Sequence, residues 1–221
     1  MNAGNVSARI RSCPQKIIDF ITFPFRALFV PENDFLGLSS LRTERFDYVA
    51  REVMGYCLDV GCGKQNLFID RHLCRNGKGI DVFRYEGLRD EHICEDLTHF
   101  PFEDETFSSV SFIANINHVP RSKRDIELAE AYRCLKTHGN IIVTMGHPLA
   151  EILIHKLLWF YDTFFFTHVD MDNERGMHEE EEYFLKDQEI VERLQRAGFK
   201  NITKKYFLTQ WRLNALTIGW K

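Results

Sequence analysis

Cys57-Leu58-Asp59-Val60-Gly61-Cys62-Gly63 decides how this chain folds. An apolar run with one embedded acid enters two glycines spaced two apart, as a buried strand does when it turns sharply at its carboxyl end. Glycine accepts positive φ and has no Cβ, so the backbone there approaches a ligand more closely than other residues allow. The stretch predicts a first strand over residues 56–60 and a nucleotide-like, adenosine-containing ligand at the turn.

Outward from this turn, short apolar runs alternate with amphipathic ones as far as Gly146, the pattern of repeated strand–helix units. The spacing predicts strand two over 79–82, a short strand three over 92–94, strand four over 110–114 and strand five over 140–145. Helices are expected over 66–73 and 121–135, the second with Ile126, Leu128, Ala129, Tyr132 and Leu135 near helical spacing and Gly139 as its stop. Another helix starts near Ser39 or Ser40, with Glu44 in its first turns. After His147-Pro148 the alternation gives way to an aromatic helical stretch over 149–166 and a polar, acidic one to residue 182. A helix over 187–197, capped by Asp187, and two β-rich runs over 199–207 and 212–220 close the chain. The expected fold is α/β: a Rossmann-like, doubly wound, mostly parallel sheet of seven strands with the last hairpin antiparallel. One domain spans 1–221, with an N-terminal helical extension (1–54), a cofactor-binding core (55–148), a helical and acidic insertion (149–186) and a C-terminal helix and strand pair (187–221).

The 221 residues are 44% apolar and 27% charged, enough to bury an ordinary core. A net charge of -4 and a pI near 6.1 argue against the broad basic surface that nucleic acid requires. The six cysteines, Cys13, Cys57, Cys62, Cys74, Cys94 and Cys134, contain no C-x-x-C pair and read as reduced thiols of a cytoplasmic protein. Charges or prolines break the apolar stretches 17–30 and 152–166 short of the roughly 18 residues of a membrane span. The first thirty residues carry Arg9, Arg11, Lys16 and Arg26 against Asp19; they fit a secretory signal poorly and an organellar targeting peptide loosely.

Ligands of an open parallel sheet bind beyond the carboxyl ends of its strands, where strand order reverses. Asp59 and the glycine turn stand there after strand one, Asp81 after strand two, Asp96 after strand three and Asn115 after strand four. Asp81 follows Gly63 by eighteen residues, close to the spacing at which a carboxylate accepts from both hydroxyls of a ribose. The nicotinamide fingerprint G-x-G-x-x-G is incomplete, because its sixth position is Asn66.

Together these stretches resemble the class I S-adenosylmethionine-dependent methyltransferases of small-molecule type. Leu58-Asp59-Val60-Gly61-Cys62-Gly63 is similar to that family's first motif, Gly79-Ile80-Asp81-Val82 to its ribose-binding segment and Asp96-Leu97-Thr98-His99-Phe100-Pro101-Phe102 to its adenine-edge segment. Residues 107–112 resemble its fourth strand and residues 131–139 the helix and turn before its fifth. The resemblance implies S-adenosyl-L-methionine as cofactor. Asp59 would order its methionine end, Gly61 and Gly63 would give it room, Asp81 would hold the ribose and Asp96 the adenine amino group, with Leu97 beside the ring. Cys62, Val82 and Asn115 are further candidate contacts. Gln65 stands where many members have a third glycine, and Thr137-His138-Gly139 replaces the commoner Pro-Gly-Gly. Each acid alone could also be a cap or turn former; their joint placement favours the cofactor.

Methyl transfer to a hydroxyl needs orientation and a base. The candidate bases are His118, after strand four, and His147, at the end of strand five; their alternative role is to cap loops or line the pocket. The expected function is O-methylation of a small-molecule acceptor, glycosylated or lipid-linked. The aromatic residues Trp159, Phe160, Phe164, Phe165 and Tyr183, with Met177 and His178, are candidate acceptor contacts. Phe20, Phe23, Phe25 and Phe29 beside basic residues suggest peripheral membrane contact. Arg42 or Arg45 is a candidate partner for the methionine carboxylate. The acidic stretch with His168, Asp170 and Asp172 reads as a solvated loop and not a metal site. The alternative is a noncatalytic Rossmann-like module that binds a membrane or a partner.

Overall fold

The structure, a computed structural model, describes residues 11–29, 32–147, 182 and 185–221. Its helices are α1 (Cys13–Ile21), α2 (Phe23–Phe29), α3 (Leu41–Ala50), α4 (Arg124–Cys134) and α5 (Asp187–Arg196). Its strands are β1 (Cys57–Val60), β2 (Gly77–Ile80), β3 (Phe107–Ile113), β4 (Leu135–Gly146), β5 (Lys200–Tyr206) and β6 (Asn214–Trp220), in one sheet of order β2-β1-β3-β4-β6-β5. The first four run parallel, and β6 is antiparallel to both β4 and β5. Strand order therefore reverses between β1 and β3.

Alternation along the strands divides the core. Leu58 and Val60 of β1, Val110 and Phe112 of β3 and Ile141 and Val143 of β4 pack with Leu128 and Ala131 of α4 and Ile190 and Leu194 of α5. Cys57, Ile142, Leu216 and Ile218 face the other way, onto Val49 and Ala50 of α3 and onto Phe68 and Ile69. All four β1 residues are buried, as expected of a central parallel strand covered on both faces. Of Ser39 and Ser40, the cap of α3 is Ser40, whose Oγ accepts from Thr43 N–H at 3.0 Å and contributes about 1 kcal/mol.

The sheet has six strands instead of the expected seven. Residues 92–94 add only a parallel bridge between Asp81 and Ile93, in which Asp81 N–H donates to His92 O at 2.8 Å and Cys94 N–H to Asp81 O at 2.9 Å. A 3-10 turn at Asp90–His92 precedes this bridge and the exposed Glu95 and Asp96 follow it, so no apolar run extends the ladder. The helix expected over 66–73 is a 3-10 turn, Lys64–Asn66, followed by a π turn, Phe68–His72. Gln65 and Asn66 both adopt left-handed φ, 60° and 49°, which prevents a continuous right-handed helix. Gly139 is no helix stop: α4 passes directly into β4, and pairing with β3 shifts register between Phe107 and Ser109. A Cβ on Gly139 would lie 2.8 Å from Lys136 O, so glycine suits this irregularity. Asp187 lies in the first turn of α5, where Lys186 is the cap residue, and it pairs with Lys204.

Buried charges hold the N-terminal helices. Arg26 is fully buried and donates to Glu44 Oε2 and Ser39 O at 2.9 Å and to Asp19 O at 2.8 Å. Gln210 Nε2 also donates to Glu44 Oε2, at 2.9 Å, tying α2 and α3 to the connection between β5 and β6. Arg11 pairs with Asp19 and, at 3.0 Å, with Asp47. Outside this network Ile17, Phe20, Ile21, Phe25 and Phe29 are exposed, as are Leu208 and Trp211. Phe23 differs from the other phenylalanines of α1 and α2 in being buried, its ring 5.4 Å from that of Trp211. The insertion expected over 149–186 lies outside the described residues except at 182, 185 and 186.

Candidate active site

The turn after β1 is built around Asp81. Gly61 and Gly63 adopt φ of 75° and 63°, and Gly61 and Cys62 N–H donate to Ile80 O at 2.8 and 3.1 Å. Asp81 Oδ2 accepts from Gly63 N–H and Oδ1 from Phe83 N–H, each at 2.9 Å. The carboxylate thus joins the glycine turn to the end of β2. Asn115, after β3, closes the other side: its Nδ2 donates to Val60 O at 3.1 Å, and a Cβ on Gly61 would lie 2.2 Å from Asn115 Cγ. The bare backbone of Gly61 is therefore required by packing as well as by φ.

Asp59 lies beneath this turn, 2% exposed, with Oδ1 accepting from Ser111 Oγ at 2.7 Å. Burial pushes its carboxyl up to about 7; the Ser111 hydrogen bond opposes the shift and the nearby Asp81 charge adds to it. Cys62 is buried against Gly79. Burial, with the charges of Asp59 and Asp81, keeps its thiol protonated.

Gly61, Asp81, Val82, Leu97, Asn115 and His118 share a cleft of about 190 Å³ at the strand switch point. The cleft also contains Glu95, Val119, Pro120, Lys123 and Glu127, none of which the motifs named. Asp59, Cys62, Gly63, Asp96 and His147 do not line it. Asp96 is exposed, and its Oδ1 accepts from Thr98 N–H at 3.0 Å and Thr98 Oγ1 at 2.7 Å, interactions that hold its carboxyl below the usual range. His147 N–H donates to Leu213 O at 2.8 Å, on the β4–β6 side. The loop carrying His118 is anchored by the buried Arg124. Its Nε donates to Val119 O at 2.9 Å and its Nη2 to Asn117 O at 3.2 Å, while Nη1 pairs with Glu182.

Residues 58–143 match the family described as methyltransferase domain. Over that stretch the chain is similar to the class I S-adenosylmethionine-dependent methyltransferases. The ubiquinone/menaquinone biosynthesis C-methyltransferase of Brucella canis is 28% identical over 147 residues, 62% of this chain and 52% of that protein. An uncharacterized protein of Methanocaldococcus jannaschii is 27% identical over 134 residues, 58% of each chain. The chain thus spans about half the length of these relatives. The fold is shared with a Pyrococcus horikoshii protein, at TM-score 0.57 and 17% identity over 81% of this chain and 90% of that one. It is shared also with a Thermotoga maritima S-adenosylmethionine-dependent methyltransferase described as a possible histamine N-methyltransferase, at TM-score 0.55 and 17% identity over 80% and 87%.

S-adenosylmethionine is the cofactor of this methyltransferase family, and the residues here fit it. Gly61 leaves a cradle that a Cβ would fill, Gly63 faces open space at positive φ, and Asp81 is a 4%-exposed carboxylate on the cleft. Arg45, on α3 and outside the lining of this cleft, has its Nε buried without a hydrogen-bond partner, and no carboxylate pairs with it among the described residues. Burial and then the Arg42 charge push its pKa down to about 10. Arg42 is engaged by Glu32 and Asn33 at 3.5 and 3.1 Å. Among the described residues no group of three or more His, Cys, Asp or Glu can hold a metal ion; His168, Asp170, Asp172 and His178 lie outside them, as do Trp159, Phe160, Phe164, Phe165, Met177 and Tyr183. Lys123, the cap residue of α4, and Glu127, in its first turn, were hidden from motif reading because charged residues there are the ordinary solvated face.

Proposed function

We propose that this chain transfers the methyl group of S-adenosylmethionine to a hydroxyl of a small amphiphilic acceptor, glycosylated or lipid-linked. The observation that carries this reading is that His118 shares one cleft with Gly61, Asp81 and Asn115. The cofactor supplies, when bound, a sulfonium-activated methyl group with a neutral thioether as leaving group. Asp81 accepts from the ribose hydroxyls, Val82 and Leu97 cover the base, Arg45 meets the methionine carboxylate and Asp59 supports the turn beneath. His118 would hold the acceptor's hydroxyl and take its proton on a ring nitrogen, the methyl group being what the cofactor would supply. Arg124 holds the 117–119 loop that carries this base. His147, away from the cleft lining, is the second candidate for proton transfer.

An amphiphilic acceptor is supported by the exposed apolar residues of α1 and α2, continued by Trp211, whose ring lies 6.2 Å from that of Phe20 and whose Nε1–H donates to Phe20 O at 2.9 Å. Such a face suits peripheral contact with the cytoplasmic side of a membrane; among the described residues no helix is long and apolar enough to cross one. The similarity to the Brucella protein, a C-methyltransferase of ubiquinone/menaquinone biosynthesis by its description, favours a second reading in which the acceptor atom is a carbon.

Titration calorimetry with S-adenosylhomocysteine, followed by transfer of labelled methyl groups to fractionated hydroxylated lipids, tests the proposal. Saturable binding weakened by Asp81→Asn, and label in a lipid fraction that His118→Ala fails to produce, are expected. A folded wild-type chain that binds no S-adenosylhomocysteine would leave the noncatalytic module as the reading. Label only in water-soluble acceptors would refute the amphiphilic part.

A further inference from the structure

The cofactor's base presents a donor at its 6-amino group, and an enclosed cleft must meet that donor with an acceptor. Asp81 fixes where the ribose lies. The same cleft is lined by Leu97, from the segment after the Asp81–Ile93 bridge, by Lys123, the cap residue of α4, and by Glu127 in its first turn. Glu127 N–H donates to Lys123 O at 3.0 Å, which places the two residues one turn apart at the start of the helix. Glu127 is 3% exposed, whereas Asp96 is exposed, absent from the cleft lining and turned onto Thr98. Glu127 also lies near enough to Cys94 for its charge to act on that thiol, which is raised first by burial. This places Glu127 beside the segment leading to Leu97, where the base would pack.

We infer that Glu127 is the specificity-determining residue for the cofactor's base, its carboxylate accepting from the 6-amino group. The inference rests on the cofactor reading above and adds to it a discrimination between adenine and a 6-oxo purine. A buried carboxylate attracts the amino group and repels a carbonyl oxygen at the same position. Substituting glutamine changes this sharply, because a side-chain amide presents either its oxygen to an amine or its N–H to a carbonyl.

The test is calorimetric binding of S-adenosylhomocysteine and S-inosylhomocysteine to the full chain and to Glu127→Gln and Asp96→Asn. The wild type is expected to prefer the adenine ligand by about tenfold or more, consistent with a buried acceptor left facing a group that cannot donate. Glu127→Gln should bring the two affinities within about threefold, with the inosine ligand binding more tightly than it does to the wild type. That gain cannot come from partial unfolding. Asp96→Asn should keep the wild-type preference. A preference preserved in Glu127→Gln and lost in Asp96→Asn overturns the inference and gives the amino group to Asp96. Failure of the folded wild type to bind either ligand overturns the cofactor reading and this inference with it, whereas adenine-ligand binding without discrimination overturns the inference alone.

Discussion

Replacing Asp59 by asparagine should stabilise the ligand-free protein, increasingly so as pH rises. Asp59 is 2% exposed, and burial holds its carboxyl at about 7 against an ordinary value of 3.8. Between those values the folded chain retains a proton that the unfolded chain has lost, so this group's contribution falls as pH rises from about 4 to about 7 and is level above. The full span corresponds to about 4 kcal/mol at about 1.4 kcal/mol per unit, an upper figure because local relaxation reduces it. Asparagine keeps an oxygen for the Ser111 hydroxyl and carries no charge at any pH. Urea unfolding of both proteins from pH 5.5 to 8 isolates the effect, since other titrating groups largely cancel in the difference. The advantage of Asp59→Asn should grow by about 2 kcal/mol between pH 5.5 and 7 and then remain constant. Parallel stability curves would show that Asp59 is ionised throughout this range, and would refute burial as the term that governs it.

Gly61→Ala combines positive φ with a Cβ 2.2 Å from Asn115 Cγ, so a loss of about 2–3 kcal/mol is expected in chemical unfolding. Adding Asn115→Ala should recover the clash but not the φ penalty; full additivity of the two losses would contradict the packing argument. Arg45→Met should weaken S-adenosylhomocysteine by about tenfold, the worth of a charge-assisted hydrogen bond, and leave 5′-methylthioadenosine, which has no carboxylate, unaffected. Equal loss for both ligands would remove Arg45 from the carboxylate role. Ile21→Glu with Trp211→Glu should abolish flotation with anionic liposomes without lowering S-adenosylhomocysteine affinity, and retained flotation would place any membrane contact elsewhere.

The parallel core was legible because burial on both faces writes a central strand as an uninterrupted apolar run, and Leu58, Val60, Val110 and Phe112 obey that rule. The strand expected over 92–94 is reduced to the bridge at Asp81–Ile93, which rests on two main-chain hydrogen bonds and is followed by the exposed Glu95 and Asp96. Gly139 misled for a related reason: a glycine after a helix reads as a stop, although close approach to Lys136 O across a register shift demands it equally. In the N-terminal region the phenylalanine spacing revealed an apolar face but not that Arg26, within Phe-Pro-Phe-Arg-Ala-Leu-Phe, would be fully buried against Glu44. A single arginine inside an apolar run was the available signal. At the cleft, Asp81 and Asn115 follow strands in a fixed order and could be named from spacing, and Leu97 from the family resemblance. Glu127 could not, because only the tilt of α4 over the strand ends decides which of its charged residues is enclosed.

Asp81 connects the fold to the proposed site, and this bears on how its substitution must be interpreted. Its two oxygens accept from Gly63 and Phe83 N–H, so the turn that receives the ligand and the strand that presents the carboxylate are fixed before binding. A carboxylate offers about four acceptor positions, and two amides leave its plane oriented without exhausting that capacity. The ordering of both segments is thereby met in folding and not drawn from binding energy. Asparagine at 81 must turn its amide nitrogen toward one of the two N–H donors. The turn should then lose about 1–2 kcal/mol and ligand affinity should fall with it. Alanine removes both anchors together and cannot separate the two effects. If Asp81→Asn instead kept wild-type affinity while losing stability, the carboxylate would serve the turn alone, and the ribose would have to be held by other groups.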